Sequence, residues 1–134
     1  MKKRVIKIAA LVVLFAAVLV ISNVILNRGN DDQVVPLLSL GGVGVISVLS
    51  NVMPKLTHDM VMSYLNGDVK ESDNLQLRYL ELIENLFSDV NPIPVKEALN
   101  MMGWNAGAVR SPLCEMEPQH KELLRKELAA MKLI

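Results

Sequence analysis

The sequence predicts a mainly α chain with one or two short parallel-type strands, preceded by one transmembrane-like helix. Three observations predict it. Ile8 to Leu26 is a run of 19 residues without a charge. Val43 to Leu49 is short and rich in β-branched residues, as a strand buried on both faces is. From Leu56 onward, apolar residues recur at helical spacing between recognisable caps.

The N-terminal run spans about 28 Å as a helix, close to the roughly 30 Å hydrocarbon core of a bilayer. Thirteen of its 19 residues are Leu, Ile, Val or Phe, together favouring insertion by roughly 4 to 8 kcal/mol. Lys7 lies just outside and can snorkel, and Lys2-Lys3-Arg4 favours a cytoplasmic N-terminus. The expectation is a single-pass membrane protein anchored through residues 8–26, with a cleaved signal or a misassigned start as the alternatives.

Residues 29–134 are then read in order. Gly29-Asn30-Asp31-Asp32 is a turn signal, followed by a short apolar helix from Val34 to Leu40 and a stop at Gly41-Gly42. After the strand, Asn51 to Pro54 breaks the chain. A helix over Leu56 to Asn66 ends with Gly67 at its C′ position. Asp73, with Gln76 as capping-box partner, opens a second whose stripe is Leu75, Tyr79, Leu82 and Leu86. Pro94 belongs to the first turn of a third, closed by Gly103, and Pro118 opens a fourth. In this last helix Glu117/Lys121 and Glu122/Lys126 are i,i+4 pairs, and Leu124, Leu128 and Met131 form the buried face.

Charge and composition exclude several functions. The chain carries 14 basic and 14 acidic side chains. Five of the basic ones lie in residues 1–28, which have no acidic group, so residues 29–134 hold nine basic against 14 acidic groups, a net −5. That balance argues against nucleic-acid binding. One cysteine, Cys114, excludes a disulfide framework and a four-cysteine zinc site. His58 and His120 have no second ligand at metal spacing, so no metal and no cofactor is expected. Asp31 and Asp32 are read as turn and cap residues. Gly41-Gly42-Val43-Gly44 lacks the Lys and Ser/Thr of a phosphate loop. Lys96 falls in the first turn of a helix, where the macrodipole disfavours a cation, and so needs a reason such as a carboxylate partner or packing of its aliphatic stem. Spacing alone yields no catalytic constellation.

Several stretches carry a family likeness: Gly29-Asn30-Asp31-Asp32, Leu40 to Val48, Asn51-Val52 with Pro54, Asn91-Pro92-Ile93-Pro94-Val95-Lys96, and Arg110-Ser111-Pro112-Leu113. In that order, residues 29–134 resemble the C-terminal part of the dihydrodipicolinate synthase (4-hydroxy-tetrahydrodipicolinate synthase) family. The resemblance implies the C-terminal end of a (β/α)₈ TIM barrel plus a helical extension. It divides the chain into a hydrophobic segment, 1–28; a remnant of the barrel's seventh and eighth strands, 29–54; and the extension, 55–134.

The family's reaction, as the resemblance implies it, is a Schiff-base condensation of pyruvate with aspartate semialdehyde in lysine and diaminopimelate biosynthesis. Ile46 matches the backbone contact with pyruvate, while Gly29 and Asn30 match the wall of the semialdehyde pocket. No catalytic residue carries over. A whole barrel needs about 250 residues, and the Schiff-base lysine falls close to Arg4, whose guanidinium is no amine nucleophile. The expectation is a truncated family member, inactive alone. The alternative is a membrane-anchored helical module that self-associates through its C-terminal helices.

Overall fold

Asp31 and Asp32 start a single 3-10 turn (Asp31–Gln33) that leads into helix α1, Val34–Ser39, in the computed structural model, which describes residues 30–134. A second 3-10 turn, Leu49–Asn51, precedes α2, Pro54–Leu65. Then follow α3 (Val69–Arg78), α4 (Leu80–Leu86), α5 (Ile93–Met101) and α6 (Pro118–Ala130).

Several of these elements follow directly from local chemistry. Proline opens α2 and α6 and stands in the first turn of α5, where no backbone N–H partner is needed. Gly67 and Gly103 follow the ends of α2 and α5 with φ of 92° and 86°, a conformation that costs glycine little. At the second site the N–H of Trp104 reaches back to the carbonyl of Leu99 and that of Gly103 to Asn100, closing the helix.

Other elements depart from the sequence expectation. The helix expected from Asp73 begins earlier, because the Asp68 side chain accepts the Glu71 N–H at 3.1 Å and caps it. Asp73 is an exposed residue inside α3. The single stripe from Leu75 to Leu86 is divided at Tyr79, so α3 and α4 are separate helices. Of the two expected i,i+4 pairs in α6, Lys126 lies 4.0 Å from Glu122, but Lys121 turns away from Glu117 to pair with Glu97 on α5 at 2.6 Å.

The expected strand is also corrected. Residues 42–47 belong to no ladder, and no strand is present among the described residues. A strand exists only through hydrogen bonds to a neighbour, and none of the described segments lies alongside. The transmembrane-like helix expected over residues 8–26 lies outside the described residues. Within them, no helix is long and apolar enough to cross a membrane.

Packing gathers around two apolar clusters. The larger joins the Leu49–Asn51 turn and α2 to α4, α5 and α6, with Leu82, Leu86, Leu124 and Leu128 fully buried. The smaller joins α1 to α2 through Val34, Leu38, Met60 and Val61. Helix α3 lies across α2, and the buried Ser72 hydroxyl donates to the Met60 carbonyl at 2.7 Å.

Candidate functional site

Two loops carry the residues singled out by sequence, one containing Asn30 and the other Ile46. Asp31 joins them. Its side chain is buried, and Oδ2 accepts the N–H groups of Val48 at 2.9 Å and Leu49 at 2.8 Å. Those amides open the Leu49–Asn51 turn, so the carboxylate caps that turn from 17 residues upstream. The other oxygen, Oδ1, is buried without a hydrogen-bond partner.

Two residues before this anchor, Ile46 is 68% exposed. It borders an open cavity of about 430 Å³ whose walls include Ser47, Asn51, Asn91, Pro92, Val95 and Lys96. The Asn91–Lys96 run thus meets the loop bearing Ile46 across this cavity. Asn30 borders a different depression, of about 190 Å³, with Asp32, Ile83, Glu84 and Phe87. Ile46 and Asn30 therefore share an anchor but not a cavity. Gly29 lies outside the described residues.

Lys96 is the one titratable side chain bordering the Ile46 cavity among the described residues. Its Nζ donates to the Ala108 carbonyl at 2.7 Å, so its partner is a backbone carbonyl and not the carboxylate the sequence suggested. Asn100 continues this link one turn on, donating to Gly107 O and accepting from the Ala106 N–H. A further cavity of about 420 Å³ on the far side of Lys96 is edged by Glu97, Lys121 and the exposed Cys114.

Asp89 sits below the first turn of α6. The backbone N–H of Glu117 holds its carboxyl below the usual range, with smaller contributions from the Val90 N–H and His120, against an opposing effect of burial. His120 Nδ1 is 3.7 Å from Asp89 Oδ2. His58 is exposed on α2. None of these groups approaches Ile46 at its cavity wall. Among the described residues, the polar side chains bordering this cavity are those of Ser47, Asn51, Asn91 and Lys96.

Sequence reasoning missed Gln76. Instead of capping a helix, it is buried, donating from Nε2 to the Asp31 carbonyl at 2.8 Å and accepting the Val35 N–H on Oε1 at 3.3 Å. The available signal was Ser72 and Gln76, two polar residues one turn apart on the same face.

Comparison with known proteins places this geometry. The model of the dihydrodipicolinate synthetase family matches residues 12–131. The 4-hydroxy-tetrahydrodipicolinate synthase of Lachnoclostridium phytofermentans is 57% identical over 106 residues, covering 79% of this chain and 36% of the relative. The crystal structure of dihydrodipicolinate synthase from Thermotoga maritima superposes with a TM-score of 0.76 at 42% identity, over 79% of this chain and 36% of that one. The pyruvate complex of the chloride-inhibited enzyme from Acinetobacter baumannii gives 0.74 at 34% identity, with the same coverage. The chain thus spans little more than a third of the length of the curated relatives it matches.

These matches overturn the expected single-pass membrane localisation. The family match begins at residue 12 and takes in most of the run from Ile8 to Leu26. A continuous hydrophobic run is not specific to membrane spans, since parallel strands buried on both faces read the same way. The membrane-anchored alternative falls with it.

Proposed function

The chain belongs to the dihydrodipicolinate synthetase family, and we propose that its 134 residues furnish one wall of a synthase site and are inactive alone in condensing pyruvate with aspartate semialdehyde. In this reading the Ile46 backbone faces pyruvate, and Gly29 and Asn30 line the semialdehyde pocket. Residues 29–54 are the end of the barrel, 55–134 the helical extension, and 1–28 precede both.

One observation carries the reading: the amine beside the Ile46 cavity is already engaged. A Schiff-base lysine must present a neutral amine to the carbonyl carbon, which is achieved by desolvation or a neighbouring cation. Lys96 instead commits its Nζ to a hydrogen bond with the Ala108 carbonyl at 2.7 Å, outside the residues that border the Ile46 cavity. The arginine at position 4 remains protonated and cannot attack.

Borohydride trapping tests this. The purified chain, incubated with pyruvate and reduced, is expected to keep its unmodified mass. A covalent adduct on Lys96 or any other lysine overturns the proposal. Adding the part of the Lachnoclostridium phytofermentans synthase that this chain does not cover is expected to restore trapping, on a lysine of that added part.

The same proposal includes self-association through the C-terminal helices. Support comes from Leu77 on α3, 70% exposed, and Leu123 on α6, also exposed. Sedimentation of the chain with and without Leu77→Ser checks it, and an unchanged monomer in both removes it.

A further inference from the structure

Gln76 and Asp31 form a hydrogen-bonded relay from the helical extension to the loop bearing Ile46, although neither borders the Ile46 cavity. Gln76 belongs to α3, 45 residues from Asp31 in sequence. Its amide spans the first 3-10 turn and the start of α1: Nε2 gives a hydrogen bond to Asp31 O, and Oε1 takes one from Val35 N. The donor and acceptor requirements of those groups fix which way the amide points. Asp31 then reaches across with its carboxylate to two consecutive amides, Val48 and Leu49, immediately beyond Ile46.

We infer that Gln76 is a positioning residue: through Asp31 it sets the backbone of residues 46–49, and so the orientation of the main-chain groups at Ile46. Three physical points support this. Gln76, Asp31, Val35 and Leu49 are buried and Val48 is half-buried, so solvent poorly replaces a partner lost from the buried members. The carboxylate bonds are charge-assisted and therefore stronger than neutral ones. Residues 42–47 have no ladder among the described residues; beside the local Ser47–Ser50 hydrogen bonds, the Asp31 anchor is the long-range hydrogen-bonded restraint described next to Ile46. The identity of what Ile46 faces rests on the function proposed above; the relay does not.

Gln76→Glu separates positioning from mere packing. The introduced carboxyl keeps the acceptor for Val35 but, when ionised, cannot donate to Asp31 O. It is buried beside Asp31, with Asp32 and Asp73 edging the groove that Gln76 borders. Burial and these acidic neighbours hold its pKa above the ordinary range, so protonation on mild acidification restores the donor.

The test is amide exchange and chemical shift in the full chain, without pyruvate. Near neutral pH, Gln76→Glu is expected to speed exchange at Val48 and Leu49 by roughly tenfold and to move the Ile46 amide shift. Leu124 and Leu128 amides stay as in the parent. At about pH 5, with rates corrected for intrinsic exchange, both signatures are expected to return toward the parent. Unchanged Val48 and Leu49 exchange overturns the inference, as does a perturbation with no recovery in acid. Gln76→Leu, which lacks donor and acceptor, is expected to show the defect at both pH values; recovery there would also overturn it. Because no step involves pyruvate, failure of the trapping experiment leaves these outcomes readable.

Discussion

Residues 54–134 and the segment of residues 30–53 draw on similarly apolar sequence and end up differently. The longer part buries Leu82, Leu86, Leu124 and Leu128 completely. In the segment, Leu40 is 69% exposed and Val43 61%. An α-helix pairs its own backbone, so it needs only side-chain partners, and α4, α5 and α6 provide them to each other. A barrel strand must find backbone partners in its neighbours, and none of the described residues supplies them. The comparison shows that the helices complete their own backbone bonding, whereas residues 42–47 find no ladder partner among the described residues.

Truncating each region in turn puts this to its strongest test. Leu124→Ala is expected to destabilise the chain by about 2–5 kcal/mol through lost burial and a residual cavity, read from urea unfolding. Ile46→Ala in the same assay is expected to cost less than about 0.5 kcal/mol. Comparable losses would erase the distinction.

Asp31→Ala sharpens it, because Asp31 is where the segment gains a tertiary restraint. Leaving the Val48 and Leu49 amides without their acceptor is expected to cost about 1–3 kcal/mol. Hydrogen exchange should locate the loss in residues 46–51 and spare α6. Uniform loss of protection across α4 to α6 would mean that the two regions fold as one.

Gly103→Ala probes the local half. A Cβ there meets nothing within 4 Å, so the cost is that of the positive φ alone, about 1 kcal/mol. A urea midpoint matching the parent would show that the C-cap conformation contributes nothing.

The smallest effects are electrostatic. Asp89 is held below its ordinary value of 3.8, chiefly by the Glu117 N–H. Its stabilising contribution is therefore present above that value and lost as pH falls through the lower folded-state pKa. Asp89→Asn is expected to flatten the acid limb of a stability profile. Glu127 runs the other way, raised above 4.5 by burial and then by Glu81. Its charge opposes folding near neutrality, and acid relieves the cost as pH falls through the raised pKa toward 4.5, so Glu127→Gln should be slightly stabilising near pH 7 and neutral in acid. The reverse order would show that the α4–α6 contact does not shape these groups.

The legible part of the sequence was the local part. The stops at Gly67 and Gly103, Pro94 in the first turn of α5 and the start at Pro118 are chemistry within one turn of chain, and they stand in the structure. The break at Tyr79 was not legible, since the residues around it carry one continuous stripe. Nor was the choice of Lys121 between Glu117 and Glu97, which depends on how α5 crosses α6. The site was less legible still. Asp31 reads as a turn residue and Gln76 as a cap until loops 17 and 45 residues away are brought beside them. Family likeness pointed to Ile46, and only the tertiary structure shows what holds it.

The connection between α5 and α6 has a practical consequence. It is irregular from residue 104 to 117, and Lys96 and Asn100 fasten it to α5 at Ala106, Gly107 and Ala108. Arg110 follows that fastening and is exposed. Trypsin is therefore expected to nick the native protein after Arg110 before it digests the helices. The released end would still carry Met116, Leu124 and Leu128, all buried in the larger core. Such a severed molecule should stay associated through native chromatography and part into two peptides only in denaturant. The link between α5 and α6 would then be a tether that the finished fold no longer requires.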